Sequence, residues 1–277
     1  MKTLVILLLL FRVALADEKT GAVYSHSEQI QRVFNGSQRL RQLLAKTKAG
    51  RDYAIEFDEN ANPASIYQGF TEIDGHTGRL EFRVHIIPGL SDEFVENLLA
   101  HEIFHIYLRS EGFLFDSADI PRKRQLEGTK ELAFIEDATM AMANCYVDAI
   151  IDRRMESLGY DPRILNQRKR EEMMRAGEEQ GTIAGSPQLV NLYKRYVAVV
   201  MYCTSLRLRD FDMRDIYAAN KLSDWTLERD VAEISRQMGP DPCETGKTCF
   251  QEMLKLRKAS GFDGEAKFQN PWTGKFE

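Results

Sequence analysis

The sequence predicts an α+β fold: a small antiparallel sheet packed on one helix of the N-terminal half, followed by a mainly α-helical C-terminal half. Three observations carry this. Residues 53–87 alternate apolar and polar side chains between turn clusters, the period of half-buried strands. The stretches on either side repeat at helical spacing. The chain has 277 residues, 43% of them hydrophobic, which is enough to bury a core without help from metals or disulfides. A metal site in such a chain serves chemistry rather than folding.

In order along the chain, Lys2 precedes an apolar run from Leu4 to Phe11, and small residues stand at Ala14 and Ala16. This reads as a secretory signal over residues 1–16, too short in its apolar part for the roughly 20 residues that span a bilayer. The mature part, 17–277, reads as a single exported domain with no further membrane segment. Ser25 to Lys48 is helical in period, with a possible break at Asn35-Gly36. Strands follow at Tyr53–Phe57, Ile66–Ile73 and Leu80–Ile87, separated by turn clusters at Asp58–Pro63 and Asp74–Gly78. Ser91 caps a helix from Asp92 to Ser110 that stops at Gly112.

A loop over 113–128 precedes a long helix capped by Thr129 and stopped at Gly159. Residues 161–186 mix charges, Gly and Pro, and predict a short charged helix with loop. Pro187 opens another helix through Leu208, shorter ones follow at Leu227–Met238 and Thr248–Ala259, and the tail from Gly261 reads as irregular.

The formal charge is −5, from 37 Lys+Arg against 42 Asp+Glu, with the basic residues scattered. Phosphate tracking needs clustered positive charge, so nucleic acid is not an expected partner. The four cysteines suit an oxidising compartment: Cys243 and Cys249 flank a short turn and predict a local disulfide. Cys145 and Cys203, each in a helical pattern, then either bridge two helices or stay as buried thiols. A four-cysteine zinc site is disfavoured because C-x-x-C pairs are missing.

The chemistry lies in His101-Glu102-Ile103-Phe104-His105, in a chain with only five histidines. Histidines four apart share one helical face and can bind one Zn²⁺, while Glu102, about 100° away, faces the open metal position. Coordination lowers the pKa of bound water, and an adjacent carboxylate can take its proton and pass it to a leaving group. The flanks Leu98-Leu99-Ala100 and Ile103-Phe104 are apolar, so the His-Glu-His group is expected to be buried, where it needs compensation.

A catalytic zinc wants a third protein ligand. Asp148 sits among Tyr146, Val147, Ala149, Ile150 and Ile151, and Asp152 follows one turn later. A metal or a metal-bound His would satisfy acids in so apolar a setting; alternatively they pair with Arg153, Arg154 or water. Glu136 and Asp137 are rival ligands, but Glu136 lies about 18 Å from Asp148 along a helix, so only one cluster can meet the histidines. His85 reads as a cleft or core residue, His76 as exposed, and His26 carries no visible chemistry. Tyr107, Tyr146, Tyr160, Tyr193 and Tyr202 are candidates to stabilise an oxyanion, and spacing selects none.

The motif helix with the preceding Arg83-Val84-His85-Ile86-Ile87 strand resembles the zincin metallopeptidases, in which such a strand borders the substrate cleft. Asp148-x-x-x-Asp152 is similar to the gluzincin E-x-x-x-D pattern, with Asp in place of the usual Glu. The resemblance covers roughly residues 80–110, more weakly 129–156. It implies that Asp148 joins His101 and His105 as zinc ligand, that Asp152 supports a ligand His, and that the substrate is a peptide or protein. Metal-assisted hydrolysis with Glu102 as general base follows from the residues themselves. Two other expectations stand beside it: a non-catalytic exported binding protein on the same scaffold, and a hydrolase of non-peptide amides.

Overall fold

In the computed structural model the described residues are 23–25, 27–47, 53–59, 69–74, 80–86, 88–113, 118–179, 185–208, 212–219, 226–239 and 243–277. The segment 1–16 that is expected to be a signal, residues 60–68, His26 and His76 lie outside them. The chain forms two compact units, residues 1–107 and 108–277.

In the first unit, β1 (Val23–Ser25) leads into α1 (Glu28–Gly36) and α2 (Gln38–Lys46). The helix does break near Asn35-Gly36, and the cause is Ser37. Its side chain accepts from the Leu40 backbone N–H, capping α2, while its own N–H closes α1 on Val33 and Phe34. The strands are β2 (Tyr53–Glu59), β3 (Gly69–Asp74) and β4 (Leu80–Ile86), in the order β1-β2-β4-β3.

In this sheet, among the described residues, β3 and β4 pair antiparallel, while β1 with β2 and β2 with β4 are parallel. The small sheet expected from the sequence is present, its antiparallel part being β3–β4, and the parallel pairs make it mixed. Its reason is that β4 enters between β2 and β3, placing Phe57 beside Val84 in a row with Ile55 and Ile86. All four of these side chains are buried, and the Phe34 ring meets Phe57 at 5.9 Å between centroids. Alternation of period two identifies such a buried face without identifying its neighbour.

The helix α3 (Asp92–Ser110) follows β4 and has the predicted bounds. Its first turn is tied to α1 and α2: Arg32 pairs with Asp92 at 2.8 Å, Arg39 with Glu96 at 2.9 Å, and the Ser37 hydroxyl donates to Glu96 at 2.6 Å. Val95, Leu98, Leu99, Ala100, Ile103, Phe104 and Ile106 are all buried, as are the polar Asn97, His101 and Glu102, so the middle turns of α3 are enclosed on every side. It ends at Gly112, whose φ of +93° is the left-handed conformation that lets the Phe113 N–H reach the Leu108 carbonyl at 3.1 Å.

The second unit contains α4 (Lys123–Leu126), α5 (Lys130–Ser157), α6 (Arg163–Glu179), α7 (Pro187–Arg207), α8 (Arg214–Ala219), α9 (Leu227–Met238) and α10 (Gly246–Ala259). Thr129 caps α5 by accepting from the Leu132 N–H. Replacing it in Thr129→Ala is expected to cost about 1 kcal/mol in chemical denaturation. Pro187 stands at the start of α7 after the Ser186 cap, where its missing N–H costs nothing.

Helices α5 and α7 run in the same direction, as their contacts advance together. Phe134 meets Tyr193 at 5.2 Å between ring centroids, Tyr146 meets Tyr202 at 3.4 Å between hydroxyls, and Cys145 is joined to Cys203. The second disulfide, Cys243–Cys249, is also present.

Two expectations are corrected here. The region after Gly159 carries a helix of 17 residues rather than a short one, because Arg163 to Glu179 is rich in Arg, Glu, Gln, Leu and Met, helix formers that carry it past Gly177. The tail is ordered: Lys267–Phe268 (β6) pairs with Ala118–Asp119 (β5), and Phe262, Ala266 and Phe268 are buried.

Candidate metal centre

Helix α3 presents His101 and His105 one turn apart, with Nε2 atoms 3.1 Å from each other and rings in an edge-to-face arrangement. His101 and Glu102 are buried at 7% and 4% exposure, and His105 is half-buried. The buried middle turns of α3 thus carry polar groups into the interior at these positions, as the apolar flanking sequence predicts.

The distance between the two imidazoles is informative. A tetrahedral zinc with bonds of about 2.0–2.1 Å sets its ligand atoms about 3.3 Å apart. The Nε2 pair at 3.1 Å is close to that spacing. The same pair also accommodates a hydrogen bond between neutral rings, so the spacing suits a metal without demanding one.

On the second unit, α5 presents Asp148 and Asp152 one turn apart, and both meet Arg207 at the end of α7. The guanidinium donates from Nη1 to Asp148 Oδ2 at 2.9 Å and from Nε to Asp152 Oδ2 at 3.2 Å. Asn166 of α6 adds a bond from Nδ2 to Asp152 Oδ2 at 3.1 Å and another to the Arg207 carbonyl at 3.4 Å. Burial pushes the Asp152 carboxyl above its ordinary pKa, and the Arg207 charge opposes that shift. Two carboxylates against one guanidinium leave this group one negative charge in excess.

Within the first unit, His101 and His105 are the two imidazole donors that α3 itself brings together, a pair of the kind that metal sites use.

The rivals are placed elsewhere. Glu136 forms an ion pair with Lys123 at 2.9 Å, and Asp137 is exposed, its carboxyl raised first by partial burial and then by Glu136. The alternative partner Arg154 pairs with Glu111 at 2.8 Å. His85 stands in β4 opposite Phe70 by backbone register, and its side chain lies outside the described residues.

Of the tyrosines, Tyr146 and Tyr202 face each other and burial raises both hydroxyls; Tyr193 packs on Phe134 and is pushed up to about 12 by burial. Tyr107 is half-buried with its ring near Phe104, and Tyr160 is buried.

Arg207 is the residue that sequence reasoning missed. A signal for it exists in the spacing: Cys145 precedes Asp148 by one helical turn, and Cys203 precedes Arg207 by one turn on a helix running the same way. Had the disulfide been taken as given, Arg207 would have been the first side chain to test against the acids. No described helix is long and apolar enough to cross a membrane. Compared with family models, curated proteins and solved structures, the chain matches none.

Proposed function

We propose that the chain is an exported zinc-dependent metallopeptidase of gluzincin-like type. The observation that carries this reading is the His101 and His105 Nε2 pair at 3.1 Å on one face of α3, with Glu102 buried beside it; Asp148 as third ligand comes from the resemblance. His101, His105 and Asp148 hold the ion. Zinc bound there supplies a water of near-neutral acidity and polarises the scissile carbonyl. Glu102, adjacent to His101 and buried, accepts the proton of the attacking water and returns it to the leaving amine nitrogen. The Asp replacing Glu in the third position is one methylene shorter than the acid of the gluzincin pattern. Asp152 accepts from Arg207 and Asn166, and its support of a ligand His comes from the resemblance. Two disulfides favour an oxidising compartment, in keeping with export. A peptide or protein substrate comes from the resemblance.

A second reading, a non-catalytic exported binding protein, is favoured by one observation: Arg207 already gives both acids a counter-charge. Elemental analysis of purified protein, wild type beside His101→Ala and Asp148→Ala, separates the two. About one zinc per chain, lost in both variants, supports the metallopeptidase. No zinc in the wild type after reconstitution overturns it, and retention in Asp148→Ala removes that residue from the ligand set.

A further inference from the structure

We infer that Asn35 is a self-modifying position: its side-chain amide is lost to attack by the Gly36 backbone nitrogen, leaving aspartate or isoaspartate at the junction of α1 and α2. Asn35-Gly36 is the one Asn-Gly pair of the chain. It stands at the end of α1 with both residues exposed, and nothing beyond its own helix backbone and chain neighbours lies within 4 Å of where a Cβ on Gly36 would sit. The attacking nitrogen therefore has no side chain to shield it. Among the described residues no hydrogen bond holds the Asn35 amide in place.

Arg41 activates the reaction from α2. Its Nη1 donates to the Phe34 carbonyl at 3.2 Å and also to the Asn35 carbonyl. The second acceptor is the oxygen of the same peptide unit whose nitrogen belongs to Gly36. A cation on that oxygen stabilises the charge that forms when the Gly36 N–H gives its proton to a solvent base. The nitrogen then closes a ring on Asn35 Cγ, the bond from Cγ to the amide nitrogen breaks, and that nitrogen takes a proton from water and leaves as ammonia. Water opens the ring at Cγ to give aspartate, or at the backbone carbonyl to give isoaspartate, whose main chain is one carbon longer. Closing the ring requires the last turn of α1 to open, and helix ends open most readily.

The change bears on the fold of the first unit. A carboxylate at the end of α1 meets the negative end of the helix dipole. Two residues on, Ser37 caps α2 and donates to Glu96 at 2.6 Å. A lengthened main chain at residue 35 therefore disturbs the tie between the α1–α2 junction and the first turn of α3.

The test incubates purified protein in mildly alkaline buffer, folded and in urea, and follows the tryptic peptide Val33–Arg39 by mass spectrometry, with an isoaspartate methyltransferase as probe. We expect folded wild type to gain one mass unit at Asn35 and to become a methyl acceptor. Folded Arg41→Gln should convert about threefold more slowly, the size of one exposed charge contact, while in urea the two chains convert alike. Arg41 is exposed, and circular dichroism checks that the variant is folded; Arg41→Lys, which keeps the charge, should convert closer to wild type. Folded protein that keeps Asn35 intact while the chain in urea converts overturns the inference, because the end of α1 then protects the amide. Equal rates for folded wild type and folded Arg41→Gln overturn the role given to Arg41.

Discussion

Glu102→Gln is expected to lower peptide hydrolysis by about 10³-fold, within the range of 10² to 10⁴ that a positioned proton-transfer group contributes. Zinc content should stay at that of the wild type. The substitution keeps side-chain shape in a position that is 4% exposed, so it tests proton transfer rather than packing. Gln cannot accept the proton of the attacking water, whereas His101, His105 and Asp148 are untouched. Hydrolysis of a casein or fluorogenic peptide substrate, measured beside zinc content, checks both halves of the expectation. Retained activity would remove Glu102 from the mechanism. Lost activity with lost zinc would make its role structural.

The second large effect concerns the helix pair that carries the acids. Cys145 and Cys203 close a separation of 58 residues, Cys243 and Cys249 one of only 6. Loop-closure entropy in the unfolded chain then gives about 4 kcal/mol for the first bridge and about 2 kcal/mol for the second. Cys145→Ser with Cys203→Ser should therefore lower the denaturation midpoint about twice as far as Cys243→Ser with Cys249→Ser. Guanidinium unfolding of both double variants measures the ratio. Equal losses would mean that residual structure in the unfolded state, rather than loop length, governs the contribution.

Much of the local structure was legible before any coordinates. The bounds of α3 follow from Ser91, Asp92 and Gly112, those of α5 from Thr129 and Gly159, and the start of α7 from Pro187; each is an end signal acting within one turn. The Cys243–Cys249 disulfide was legible from its turn, whereas the sequence left Cys145 and Cys203 open between a bridge and two buried thiols, and the structure closes the bridge. The sheet order was not. Alternation marks Ile55, Phe57, Val84 and Ile86 as one buried row in type, yet whether β4 lies beside β2 or beyond β3 depends on pairing between segments that periodicity treats independently.

The candidate site divides along the same line. His101, Glu102 and His105 are neighbours on one helix, so 3.6 residues per turn brings them together whatever the rest of the chain does. Asp148 against Glu136 was a choice between two positions on one helix about 18 Å apart, which helix geometry alone leaves open. What tertiary structure adds is the partner of each acid, Lys123 for Glu136 and Arg207 for Asp148. The physical reason is range: capping, periodicity and turn chemistry act over a few residues. The partner of a buried charge is set by which distant helix end arrives beside it, here the end of α7 that the Cys145–Cys203 bridge ties to α5.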